Sequence, residues 1–329
     1  MHVLITGGAG FIGSHLVEYH LAKGDHVHVV DNLSTGREEN LAKLIDNPRL
    51  LFDCADILVW PQLASAVSWA DRVYHLAAVV GVKKVLEDPV QVMSTNMAGT
   101  ERVLRAVHKD PWSPEVMITS SSEVYGFSHD LPFEEHSNLI IPSAGRLRWA
   151  YAVTKLADEF LGFAYYREHK MNIKIVRLFN TIGPHQTGRY GMVVPSFIKR
   201  AVNGEPITVY GDGTQTRSFC DVRDTIAALD LLAGTPEAAG KVINVGSDRE
   251  ISIKELAKLV QARSSSSSKV EFMSYNEAYG VEFEDIQRRR PDLSQLKELT
   301  AFQPKWNLEA TLDNLIAIAV EEKKTKHAA

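Results

Sequence analysis

Thr6-Gly7-Gly8-Ala9-Gly10-Phe11-Ile12-Gly13 joins an apolar run, His2–Thr6, to an amphipathic one, Phe11–Lys23. The glycines read as Gly7-x-x-Gly10-x-x-Gly13 and equally as Gly8-x-Gly10-x-x-Gly13. A side chain at these positions would block the tight turn and keep backbone N–H groups from a pyrophosphate seated on the positive end of a helix. The segment therefore predicts a strand, a turn and a helix, with Gly7, Gly10, Phe11, Ile12 and Gly13 against a dinucleotide. A second strand-like run, His26–Asp31, ends on a carboxylate at the distance where such sites hold a ribose. Asp31 would accept hydrogen bonds from both ribose hydroxyls and repel a 2′-phosphate, which favours NAD over NADP in spite of nearby Arg37.

Outward from this unit the alternation continues. Strand-like runs fall at Leu50–Cys54, Arg72–Leu76, Val116–Ser120 and Ile173–Phe179, with helical patterns at Val90–Lys109 and Trp149–His169. Strands alternating with helices predict an α/β protein: a doubly wound parallel sheet, or Rossmann fold, covered on both faces. After Asn180 the alternation breaks, and Pro184, Pro195, Pro206, Gly211 and Gly213 punctuate shorter elements. Thr225–Leu232 and Lys241–Val245 read as a further helix and strand of the sheet. The expected division is a dinucleotide domain of 1–180 plus about 218–245, and a smaller C-terminal substrate lobe of about 181–217 and 246–329. Ser264–Ser268 reads as a solvated loop between a helix, Ile253–Ala262, and a strand, Val270–Met273. Asp56-Ile57 after the third strand and Leu76-Ala77-Ala78 after the fourth are placed to line the cofactor groove.

Composition sets outer bounds. A net charge of −5 lacks the basic footprint of a nucleic-acid binder. No apolar run reaches the ~18 residues of a membrane span. Cys54 and Cys220 fit neither a disulfide nor a metal-ligand spacing and read as reduced packing residues. The chain opens directly into a strand pattern, with no basic segment before it, so a cytoplasmic protein with no metal centre is expected.

The chemistry reads from the next strand end. Val116–Ser120 runs into Ser121-Ser122-Glu123-Val124-Tyr125-Gly126, and parallel strands present their carboxyl ends to the ligand crevice. Further on, Tyr151-Ala152-Val153-Thr154-Lys155 puts Tyr151 and Lys155 on one helix face. A phenol of pKa about 10 is a poor base at neutral pH. A nearby ammonium and a nicotinamide's positive charge both favour the phenolate. Tyr151 could then take a proton from a sugar hydroxyl, with Ser121 as hydrogen-bond partner.

With these motifs assembled, the chain resembles the extended short-chain dehydrogenase/reductases that act on nucleotide-sugars, over nearly its whole length. The residues carrying the resemblance are Thr6–Gly13, Asp31-Asn32, Ser121–Gly126, Tyr151–Lys155, Arg177-Leu178-Phe179-Asn180 and Tyr210–Asp221. It implies a catalytic Ser121, Tyr151 and Lys155, bound NAD regenerated in each turnover, and cofactor contacts that include Asn32 and Asn96. It also implies a UDP-sugar substrate held by Asn180, Val194, Tyr210 and Arg217, with Arg289 of Arg288-Arg289-Arg290-Pro291-Asp292 at the sugar end. Family members commonly form homodimers through two helices, here Val90–Lys109 and Trp149–His169.

Three reactions in the family share oxidation at C4. The 4,6-dehydratases that act on dTDP-glucose carry Asp-Glu where this chain has Ser122-Glu123, and epimerases usually lack a carboxylate at Glu123. UDP-glucuronate decarboxylases carry Ser-Glu in the same context, a Thr-Arg-x-Phe segment matched by Thr216–Phe219, and an Arg-rich Pro-Asp motif matched by Arg289–Asp292. The resemblance thus favours decarboxylation of UDP-glucuronate to UDP-xylose, with Glu123 and Ser122 positioning the ring and reprotonating C5. Asp31–Gly36 and Val79–Pro89 read more like epimerases, so a UDP-glucose or UDP-glucuronate 4-epimerase stays open. A non-catalytic NAD or nucleotide-sugar sensor should have lost part of the Ser/Tyr/Lys set, which is intact here.

Overall fold

The computed structural model describes residues 1–188, 191–279 and 286–328. β1 (His2–Thr6) passes through the glycine turn into α1 (Phe11–Ala22), followed by β2 (His26–Asp31), β3 (Leu50–Cys54), α2 (Leu63–Trp69) and β4 (Arg72–His75). Then come α3 (Val82–Glu87), α4 (Pro89–Lys109), β5 (Glu115–Ser121), α5 (Ala150–His169), β6 (Ile173–Leu178) and the short β7 (Thr181–Ile182). The remaining chain forms α6 (Val193–Asn203), β8 (Ile207–Tyr210), β9 (Thr216–Ser218), β10 (Cys220–Asp221), α7 (Val222–Ala233) and β11 (Val242–Val245). It ends with β12 (Glu250–Ser252), α8 (Ile253–Arg263), β13 (Val270–Met273), α9 (Tyr275–Tyr279), α10 (Ser294–Thr300) and α11 (Leu308–Ala328).

Seven strands form a sheet in the order β11-β6-β5-β4-β1-β2-β3, each neighbouring pair parallel. Its strands are apolar on both faces, as a sheet covered by helices on each side requires. Val3 and Ile5 pack with Leu16, Val17 and Leu229 on one face, while Leu4 and Val30 pack with Val67 and Leu104 on the other. Successive side chains of a strand point to opposite faces, so one short run feeds two cores. The chain winds from β1 outward to β3, then returns past β1 to place β4. That reversal opens a crevice at the carboxyl ends of β1 and β4, where ligands of such folds bind.

A third cluster joins Val194, Phe197 and Ile198 of α6 to Ile207 and Val209 of β8, Leu256 and Val260 of α8, and Leu312 and Ile316 of α11. The chain near α10 does not follow the expected division. Leu293, Leu296 and Phe302 pack with Leu229 of α7 and Ile243 of β11, and Gln295 Nε2 donates to the Val242 carbonyl (2.7 Å). Element ends also move: Leu76 and Phe179 lie just past their strands, and Trp149 sits in a 3-10 turn, Leu147–Trp149, ahead of α5. The short helix α3 was not expected; it ends where Asp88 caps α4 by accepting from Gln91 N (3.0 Å), with Pro89 opening the helix. No helix among the described residues is long and apolar enough to cross a membrane.

Candidate active site

The turn after β1 needs its glycines for measurable reasons. Gly7 has φ +74°, and a Cβ there would lie 2.7 Å from Ala77 N; one on Gly13 would lie 2.2 Å from the Gly7 carbonyl. Gly10, the residue before α1, offers no side-chain cap, so the first N–H groups of the helix stay open to an anion. At the end of β2, Asp31 accepts from Ala9 N (3.0 Å) and Leu33 N (2.8 Å). Burial nonetheless pushes its carboxyl up, against the pull of those N–H groups. Further donors, such as ribose hydroxyls, would relieve that desolvation. A Cβ on Gly36 would stand 2.8 Å from either Asp31 oxygen, so the loop leaves room for only hydrogen beside the carboxylate.

Asn32 Nδ2 donates to Asp56 Oδ2 (3.2 Å), and Ile57, Leu76, Ala77 and Ala78 line the same groove. Asn96 departs from expectation. It does not line the groove but holds both backbone groups of Val79 (2.7 and 3.1 Å) and the Thr154 hydroxyl (3.2 Å), fixing the wall after β4. The glycine cradle and the buried Asp31 together fit NAD. Asp31→Ala should weaken NAD binding by about 10- to 100-fold, the range for losing hydrogen bonds to a charged group. Calorimetric titration with NAD checks this.

Beyond the ends of β4 and β5 the groove opens into the chemical end of the same cleft, which spans about 1440 Å³. Ser121 closes β5, and its Oγ accepts from Glu123 N (3.2 Å) in the 3-10 turn Ser122–Tyr125. The Tyr151 hydroxyl reaches Ser121 from α5. Burial pushes the Tyr151 phenol up; Lys155 and Ser121 pull it down, while Glu123 and Asp158 add to the rise. Burial, aided by the two carboxylates, therefore leaves Tyr151 above the ordinary tyrosine value, where the Tyr-Lys spacing alone suggests a fall. Lys155 Nζ donates to Asp158 Oδ2 (3.1 Å). Burial would lower the ammonium's pKa, but Asp158 and Tyr151 more than offset it.

Glu123 is clamped. Arg148 Nη1 donates to its Oε2 (2.7 Å) and Arg289 Nη1 to its Oε1 (2.6 Å), while Arg289 also approaches the Ser122 hydroxyl (3.4 Å). Burial alone would raise this carboxyl; the two guanidinium groups overwhelm it and hold Glu123 well below the usual carboxylate range. Backbone pairing positions Arg289 from both sides. Thr216 N donates to the Gln287 carbonyl (2.9 Å), Phe133 N to the Arg290 carbonyl (2.8 Å) and Asp292 N to the Phe133 carbonyl (2.9 Å).

Farther along the cleft lie Asn180, whose Nδ2 donates to the Ser218 carbonyl (3.2 Å), the buried Val194 at the start of α6, and the exposed Tyr210 ending β8. Arg217 also lines it, with Nη1 donating to the Thr216 and Ile286 carbonyls (2.7 Å each). Two residues of this end went unread in the sequence. Arg148 stands three positions before Tyr151, within one helical turn, and that spacing was its available signal. Asp158, one turn beyond Lys155, is the other.

A dinucleotide crevice continuous with a Ser-Tyr-Lys set and a second ligand chamber defines an enzyme that oxidises or reduces a small molecule. The model of the NAD dependent epimerase/dehydratase family matches residues 3–246. The chain belongs to that family. It is 38% identical over 314 residues to a UDP-N-acetyl-alpha-D-glucosaminuronate decarboxylase of Bacillus cytotoxicus, covering 95% of this chain and 96% of that protein. With UDP-glucuronic acid decarboxylase 4 of Arabidopsis thaliana it shares 36% identity over 318 residues, 96% of this chain and 68% of that one. Among solved structures, UDP-glucuronic acid 4-epimerase from Bacillus cereus, in complex with UDP-glucuronic acid and NAD, superposes with a TM-score of 0.86. That pair is 29% identical and covers 98% and 100% of the two chains.

Proposed function

We propose that this chain is an NAD-dependent decarboxylase of a UDP-hexuronate, with UDP-glucuronate to UDP-xylose as the specific reaction. The observation that carries the reading is the Arg148–Glu123–Arg289 clamp beside Tyr151, a cluster suited to handling a carboxylate-bearing sugar. The names of the relatives agree with it. NAD held by the glycine turn and Asp31 supplies reversible oxidation at C4. Tyr151 accepts the O4 proton as C4 becomes a ketone, Ser121 orients the hydroxyl, and Lys155 stabilises the phenolate. A carboxylate at C6 is then β to the ketone and leaves as carbon dioxide. The electron pair left on the C4–C5 enolate takes a proton at C5 from water in the open cleft, C4 is reduced again by the hydride it gave up, and Tyr151 returns the proton to O4. Because two arginines hold Glu123 ionised, its role is to fix their guanidinium groups toward the ring rather than to donate the C5 proton. Asn180 and Arg217 hold the diphosphate.

A 4-epimerase is the second reading, favoured by the fold's likeness to the Bacillus cereus epimerase. Incubating the protein and NAD with UDP-glucuronate, and in parallel with UDP-N-acetylglucosaminuronate, should yield the UDP-pentose or its N-acetylated counterpart with loss of carbon dioxide. Mass and NMR analysis of the nucleotide-sugar pool reads the result. An unchanged mass with a new hexuronate signal establishes the epimerase instead. We also infer a homodimer through α4 and α5, where Val90, Met93, Met97 and Phe160 leave apolar surface exposed.

A further inference from the structure

Beside the Ser-Tyr-Lys set lies a carboxylate that those roles do not use. Asp158 is wholly buried on α5 and, among the described residues, its recorded partner is Lys155, at 3.1 Å. Its second oxygen, Oδ1, is buried with no hydrogen-bond partner. Leaving such an atom unsatisfied is costly, and an apolar residue would avoid the cost. The next residue shows the contrast. Glu159 is fully engaged, accepting from Ser120 Oγ (2.5 Å) and from Arg177 Nε and Nη2 (2.9 and 2.8 Å).

The other charged or titratable groups facing Lys155 and Tyr151 are accounted for. His75, at the end of β4, is bonded through its ring nitrogens to the Thr6 and Thr100 hydroxyls (2.8 and 3.1 Å), and burial keeps it neutral, down to about 3. Glu123 is matched by Arg148 and Arg289, and Glu159 by Arg177. Among the described residues Asp158 is the carboxylate bonded to the lysine, while Glu159 acts on it through its field alone.

We propose that Asp158 is a positioning residue whose carboxylate anchors the Lys155 ammonium and weakens its pull on the Tyr151 hydroxyl, keeping the phenol protonated until the cleft is filled. The proposal rests on Tyr151 being the base. The direction of the shift on Tyr151, upward from Asp158, agrees with the geometry. Neutralising Asp158 leaves the ammonium's charge on the phenol undivided, so Tyr151 should ionise at lower pH.

The test is a tyrosinate absorbance titration of the NAD-loaded protein, each variant differenced against its Tyr151→Phe counterpart. In Asp158→Asn the phenolate fraction of Tyr151, at a fixed pH below its midpoint, should rise about tenfold. The acid limb of the kcat profile should move down in pH, with KM for the UDP-sugar within about twofold. Asp158→Glu keeps the charge and should titrate like the wild type. Asp158→Leu, which also removes the charge and leaves no polar atom to bury, serves if the Asn variant fails to fold. An unmoved Tyr151 titration, or an equal shift in Asp158→Glu, overturns the proposal. The titration does not depend on turnover: a shift in a protein whose Tyr151→Phe variant stays fully active upholds the electrostatic coupling and defeats only the assignment of the base.

Discussion

Tyr151→Phe should slow turnover by about 10²- to 10⁴-fold, the usual contribution of a positioned acid–base group, while UDP-sugar and NAD binding stay near wild type. Phenylalanine fills the same space on α5, so the change removes a hydroxyl and little packing. The Ser121 hydroxyl loses a partner that it can replace with water in the open cleft. Binding is expected to persist because the glycine turn, Asp31, Asn180 and Arg217 are untouched. Steady-state rates on UDP-glucuronate, with binding measured separately by calorimetry, check both halves. A turnover within tenfold of wild type would remove Tyr151 from proton transfer and return the cleft to a binding role.

Glu123→Gln is the second large effect. The amide keeps the shape but removes the negative charge that the buried Arg148 and Arg289 share. Breaking a buried ion pair from one side costs about 3–5 kcal/mol of stability. The sign with pH follows from the depressed carboxyl. A folded value below the unfolded one, about 4.3, gives stability that is fully present above that unfolded value and is lost as pH falls toward the folded one. Wild type and variant should therefore differ by a constant amount above about pH 5 and converge in acid. Denaturant unfolding across that range measures it, and parallel curves into acid would count against a charged Glu123. Decarboxylation should fall by about 10- to 100-fold, from the loss of charge-assisted hydrogen bonds that fix the arginines.

The cofactor half of the site was legible because its signals are local. Turn, helix start and carboxylate lie within Thr6–Asp31, and backbone sterics dictate them residue by residue. Ser121, Tyr151 and Lys155 were legible for a different reason, since a parallel sheet delivers its strand ends to one crevice. The clamp on Glu123 was only half legible. Arg289 could be singled out through the resemblance, but its 2.6 Å contact joins residues 166 positions apart. Arg148 offered only its place three residues before Tyr151, and its side chain reaches Glu123 from the 3-10 turn Leu147–Trp149. Asn96 was misread because a buried amide beside a groove can serve the wall as readily as the ligand. The segment at α10 was misplaced because its apolar residues, Leu293, Leu296 and Phe302, suit either core, and only the packing against α7 decides.

The backbone bonds around Arg289 have an evolutionary corollary. Gln287, Arg290 and Asp292 are pinned to Thr216 and Phe133, so the arginine is held by backbone bonds on both sides of it. The three segments are therefore expected to be inherited as a unit, and a loop exchanged between relatives would have to carry its pairing partner with it to keep the guanidinium at its post.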